Sequence, residues 1–182
     1  MAVDENDDGE IKIFSDGEQK VILDVFSQND AGGMLLTGKT GTSNVVAGSA
    51  NNGSNGIVQV YDTLDNVAVE IIANGTNNGE ITLHRLGKKR VQLDVFEDND
   101  AGAMLLLGIN DSVNVIAGSS SNGSRGLLSV NDSLGNAVVE LTADESDAGR
   151  IQLNDASSNQ TIVLQGASGL IQATTVTHTS DR

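Results

Sequence analysis

The side chains in this sequence that could do chemistry are carboxylates. Asp24 and Asp94 lie in V-x-L-D-V-F, Asp62 and Asp132 in D-[ST]-L, and Glu70 and Glu140 close VAVE and AVVE. Two such groups a few ångströms apart would supply the acid and the nucleophile of glycoside cleavage. Each of them, however, recurs 70 residues later, and a residue duplicated within one chain reads as a structural position of a repeat. Tyr61 beside Asp62 is the pair that does not recur, because Asn131 replaces the tyrosine in the second copy. Tyr61 and Asp62 are therefore the runner-up catalytic residues of a chain otherwise read as a non-enzyme. Sugar-processing grooves lean on aromatic platforms, and one Tyr, three Phe and no Trp supply few.

Metal chemistry is the next class. The segments DENDDGE, EDNDAG and DESDAG offer oxygen ligands of the kind Ca²⁺ takes, but none has EF-hand spacing. They read as solvated acidic turns. His178, repeated around a three-fold axis, could give three imidazoles to an ion such as Zn²⁺, which makes it the weak metal candidate. Without cysteine there is no disulfide scaffold and no thiol nucleophile, and no cofactor is expected. His84, Arg85, Lys88, Lys89 and Arg90 form the basic cluster of an acidic chain.

The elements that must position these residues follow from composition and period. Ile, Leu, Val and Phe make up 50 of 182 residues, enough for an aliphatic core. A net charge of −15 repels phosphate backbones and anionic membrane surfaces, so neither nucleic acid nor membrane insertion is expected. Residues 9–78 overlay residues 79–148 without a gap, with 33 of 70 positions identical. Each 70-residue superperiod divides into thirds that begin at Gly9, Gly32, Gly56, Gly79, Gly102, Gly126 and Gly149, spaced 23 or 24 residues apart. After each glycine comes G-x-h-x-h: Ile11/Ile13, Met34/Leu36, Val58/Val60, Ile81/Leu83, Met104/Leu106, Leu128/Val130 and Ile151/Leu153. A period of two is that of a strand. A second alternating stretch follows about ten residues later, as in Val21/Leu23/Val25 and Val67/Val69/Ile71. Each unit thus carries two short strands joined by Asn-, Asp-, Ser- and Gly-rich turns.

Two such strands cannot bury an apolar face alone, so units must stack. The expected fold is all-β: an elongated β-helix or β-solenoid of 23–24-residue repeats. An interwound homotrimer, a triple-stranded β-helix, is favoured over a single-chain coil because the inward residues are few and of medium size. No amphipathic helix caps an open end either. The chain divides into an acidic lead-in (1–8), a shaft (9–168, comprising 9–78, 79–148 and a partial 149–168) and a C-terminal tail (169–182).

That tail reads Gly169-Leu-Ile-Gln-Ala-Thr-Thr-Val176, then Thr-His-Thr-Ser-Asp-Arg182. It resembles bacteriophage tail fibres and tail spikes, whose trimeric β-helical stalks end in G-x-I-x-A-T-x-V followed by T-S-D-R. There an intramolecular chaperone domain of the endosialidase type begins. The resemblance implies a chaperone that trimerises the stalk and is released by self-cleavage, here at Ser180–Asp181, and a chain truncated just before it. It also implies other virion tail components and a host surface polysaccharide or receptor as partners. Location in the virion, after synthesis in the host cytoplasm, is implied as well. Some phage hyaluronan lyases place catalytic Tyr and Asp on triple-stranded β-helices, so a polysaccharide-binding or polysaccharide-degrading β-helix is the alternative. A bacterial solenoid surface adhesin is the second alternative.

Overall fold

The computed structural model describes residues 2–3, 9–26, 31–50, 55–73, 78–96, 101–119, 125–143, 148–166 and 170–173. Its backbone divides into two compact units, residues 1–94 and 95–182. The first contains β1 (Ala2–Val3), β2 (Gly9–Ser15), β3 (Glu18–Phe26), β4 (Ala31–Thr37), β5 (Ser43–Ala50), β6 (Asn55–Tyr61), β7 (Val67–Ala73) and β8 (Gly79–Arg85). It ends in β9 (Lys88–Phe96), which runs two residues past the boundary. The second contains β10 (Ala101–Leu107), β11 (Val113–Ser119), β12 (Gly126–Asn131), β13 (Ala137–Ala143), β14 (Gly149–Asn154), β15 (Gln160–Gln165) and β16 (Leu170–Ala173). There is no helix among the described residues.

The fold is all-β, and each glycine-led unit supplies two strands. Gly9 opens β2 and Gly79 opens β8, while Gly126 and Gly149 open β12 and β14. In both units sheet order follows chain order, and the strand pairs within each unit are antiparallel. The chain by itself therefore makes hairpins rather than the successive coils of a single-chain solenoid. Its tight turns explain this.

Three turn types reverse the chain. Asp16-Gly17 and Leu86-Gly87 are two-residue loops with positive φ at both positions (56° and 78°; 53° and 72°), the twist that suits a hairpin. At 62–66, 132–136 and 155–159 an Asp opens the turn and an Asn closes it. Asp62 Oδ1 accepts from the Leu64 and Asn66 amides at 2.8 and 3.0 Å, and Asp132 and Asp155 repeat the pattern. The fourth residue of each is left-handed: Asp65 at 62°, Gly135 at 87°, Ser158 at 63°. Gly41 and Asp111 hold the same place in the turns 38–42 and 108–112. A register shift precedes each of these loops, as between Val60 and Tyr61, because the extra residue of a bulge is accommodated there.

Gly48 and Gly118 are required by a close approach. A Cβ on Gly48 would lie 2.8 Å from the Gly32 carbonyl oxygen, and one on Gly118 would lie 2.4 Å from that of Gly102. Both meet backbone, which cannot rotate away.

The chain buries very little of its own apolar surface. Among the described residues the buried apolar side chains are Ala31, Ala101 and Ala103, and the largest fully buried side chain is Thr82.

Candidate interaction face

Within each compact unit strand alternation sends the h positions to one face of that unit, and the register lines them up. In the first unit Ile11 pairs with Leu23, Leu23 with Met34, Met34 with Ala47 and Ala47 with Val58. The row continues through Ile71 and Ile81 to Leu93. A second row, two residues along each strand, runs Ile13, Val21, Leu36, Val45, Val60, Val69, Leu83 and Val91. Neither row contains a polar residue.

The second unit repeats the arrangement. One row starts Met104, Ala117, Leu128, Leu141, Ile151 and passes through Leu164 to Ile171. The other starts Leu106, Val115, Val130, Val139, Leu153 and passes through Ile162 to Ala173. All fourteen h residues thus stand in these rows. Ten of them are exposed, from Val60 at 37% to Ile13 at 53%, and Met34, Leu36, Leu106 and Leu153 are half-buried.

The repeat glycines flank the same rows. Gly32, Gly56, Gly79, Gly126 and Gly149 have no atom of their own chain within 4 Å of a would-be Cβ, and none has positive φ. No contact among the described residues requires glycine there.

The opposite face is mixed: Ile22, Leu35 and Val46 share a row with Gln59, Glu70, Thr82 and Gln92, and Asp24 Oδ1 and Asp94 Oδ1 are buried there without a partner. Gln59 Nε2 donates to Glu70 at 2.5 Å, and the Tyr61 hydroxyl donates to Gln59 Oε1 at 2.6 Å. His84 Nε2 lies 2.8 Å from Thr82 Oγ1, and Gln92 donates to Asp94 at 2.9 Å. In the second unit Ser129 donates to Asn131 and Gln152 to Asn154. Asn131 and Asn154 in turn donate to the Val113 and Ala137 carbonyls. The exposed aliphatic rows therefore back onto a face where polar pairs stand among further aliphatic side chains.

The remaining candidates divide between turn and strand roles. Asp62 is a turn cap, and hydrogen bonds from the Asn66 and Leu64 amides hold its carboxyl below the usual carboxylate range. Asp132 is held down chiefly by the Asn136 amide, and Asp155 chiefly by the Asn159 side chain. Tyr61 moves the other way: burial raises its hydroxyl, and Glu70 and Asp65 raise it further. A tyrosine pushed away from ionisation beside an acid held ionised by its own turn is not set up for proton transfer between the two.

Asp24 stands opposite Glu10 and Asp94 opposite Glu80, in corresponding places of the two superperiods. Among the described residues no group of three or more His, Asp or Glu side chains could hold a metal ion. Ser180, Asp181 and His178 lie outside the described residues, as do most residues of the three acidic segments. The five basic residues gather at the β8/β9 hairpin, where Lys89 bonds Glu80 at 2.5 Å.

The Asp-x-x-x-Asn turn was not among the residues the sequence marked out. Its signal is present, since Asp and Asn four apart recur at 62/66, 132/136 and 155/159. A further cleft of about 340 Å³ lies between the turns 108–112 and 132–136, lined by Asn110, Asn114 and Asn131 among others.

No protein-family model matches the chain, and no curated protein matches its sequence.

Proposed function

We propose that the chain is a structural shaft segment that works as a homotrimer, its aliphatic face buried against the same face of two sister chains. The paired rows of aliphatic side chains in each unit carry this reading. Burial of apolar surface is the main driving force of folding, and among the described residues the apolar side chains fully buried within one chain are three alanines, while the aliphatic rows stay exposed or half-buried. Glycines that no described contact requires, on the same face, fit a site where another backbone comes close.

The virion reading rests on the tail resemblance at Gly169–Arg182 together with this face. A triple-stranded β-helix stalk of a bacteriophage tail fibre or spike needs narrow, repeated aliphatic layers contributed by three chains, and an acidic outer surface keeps such a stalk soluble. Other tail components would then be its neighbours, and its task would be a rigid connection toward the host surface. Chains whose aliphatic rows are covered only by sister chains expose those rows until they assemble, so a chaperone at the C-terminal end has a physical reason to exist.

Co-refolding tagged with untagged chains tests the count. Three chains per particle give four species, carrying zero to three tags. Two species, pure tagged and pure untagged, would overturn the proposal.

A further inference from the structure

The methionines stand apart from the other side chains of the aliphatic rows. The chain has three, and the two internal ones, Met34 and Met104, hold the same place in the two superperiods, 70 residues apart. Each faces an alanine on the next strand. Met34 stands opposite Ala47, with Leu23 before the pair and Val58 after it. Met104 stands opposite Ala117, with Leu128 beyond. Every other position of the rows carries Ile, Leu or Val, except Ala173 at the end of β16.

An alanine among branched neighbours leaves a dip in the row, and close-packed interiors tolerate few voids. Methionine suits such a dip, because its unbranched thioether has three rotatable bonds and fills irregular gaps. Within the single chain the sulfurs lack cover: Met104 is 37% exposed and Met34 half-buried. Neither row that holds a methionine contains a polar residue. An oxygen added to either sulfur would therefore find no hydrogen-bond donor in a layer closed by sister chains.

We propose that Met34 and Met104 are redox-sensitive assembly sites: as thioethers they fill the layers at Ala47 and Ala117 between sister chains, and as sulfoxides they block assembly. The inference rests on the shaft reading above and names the chemistry that regulates it. The oxidant is a peroxide. A sulfur lone pair attacks one peroxide oxygen, the O–O bond breaks, and the departing hydroxide is protonated to water. Sulfur is oxidised by two electrons to the sulfoxide and the peroxide is reduced. The product is polar, so burying it without a donor opposes assembly, while the exposed row of a single chain accepts it. Assembly in turn shields the sulfurs, so oxidation acts on chains that have not yet assembled.

The test uses the full chain, hydrogen peroxide, sedimentation velocity and peptide mass spectrometry. Chains oxidised while unfolded in urea, then freed of peroxide and refolded, should assemble at least about tenfold less than untreated chains. Methionine sulfoxide reductases applied to the oxidised unfolded chain should restore assembly. The double variant Met34→Leu, Met104→Leu keeps Met1 and a similar core volume, so it should assemble and ignore peroxide. In the assembled wild type both sulfurs should oxidise at least about tenfold more slowly than in the unfolded chain. Unimpaired assembly of the oxidised chain overturns the proposal, as do equal oxidation rates, failure of the reductases to rescue, or a double variant that peroxide still blocks. An untreated wild type that sediments as a monomer overturns the shaft reading itself, whereas a trimer indifferent to peroxide overturns this inference alone.

Discussion

Two exposed aliphatic side chains of the first unit should differ sharply in their response to a charge. Leu64 is 71% exposed at a turn tip, and Ile71 is 45% exposed in the middle of an aliphatic row. Exposure in the single chain would rank Ile71 the more sensitive by only a little. If sister chains cover the rows, the gap becomes large. Full burial of an Ile side chain is worth about 1.5–3 kcal/mol, so its exposed fraction leaves about 1 kcal/mol per chain to be gained on assembly, or about 3 kcal/mol per trimer. Ile71→Asp forfeits this and places three carboxylates in a shared apolar layer, each costing several kcal/mol of desolvation. Ile71→Thr keeps the β-branch and loses only the transfer contribution. Leu64→Asp should stay within about 0.5 kcal/mol of wild type. Sedimentation velocity and thermal melting report the outcome: Ile71→Asp dissociated or strongly destabilised, Ile71→Thr intermediate, Leu64→Asp unchanged. Equal behaviour of Ile71→Asp and Leu64→Asp would refute the reasoning.

Other outcomes follow from the turns and glycines. Gly48→Ala and Gly118→Ala drive a Cβ into neighbouring backbone and should each lower stability by about 1–3 kcal/mol in urea unfolding. A Cβ at Gly56 meets no atom of its own chain, so Gly56→Ala should keep the strand signature in circular dichroism while the sedimenting mass falls. Asp65→Gly places at position 65 the residue that already stands at 135, and relief of a left-handed aspartate should raise the melting temperature slightly. Asp62, Asp132 and Asp155 are held below the ordinary carboxylate range, so their stabilisation is present above about pH 4 and lost as pH falls further. A triple Asp→Asn variant should show a shallower acid slope in melting between about pH 4 and pH 2.

Much of the strand arrangement was legible in the sequence because a spacing of two has a single physical meaning on extended backbone. Val58/Val60 and Val67/Val69/Ile71 fall on β6 and β7 and pair with one another across the hairpin. The strands β5 and β11 were harder to see, since in NVVAGS adjacent apolar residues and a close-approach glycine obscure the alternation. The reversal of direction is harder to read for a different reason: Asp16-Gly17 is a two-residue hairpin signal, but a fixed 23-residue period fits successive coils as well as hairpins. The Asp-x-x-x-Asn cap is hard to read because the same carboxylates also suit a catalytic role. Which chains cover the aliphatic rows is legible in neither the spacing nor a single chain, because it depends on contacts between molecules.

Sedimentation equilibrium of the wild-type chain addresses that point most directly. The account predicts a particle of about 56 kDa, three times 18.8 kDa, with no lighter species at micromolar concentration. A stable species of 18.8 kDa would mean that the aliphatic rows stay in water, and would contradict it.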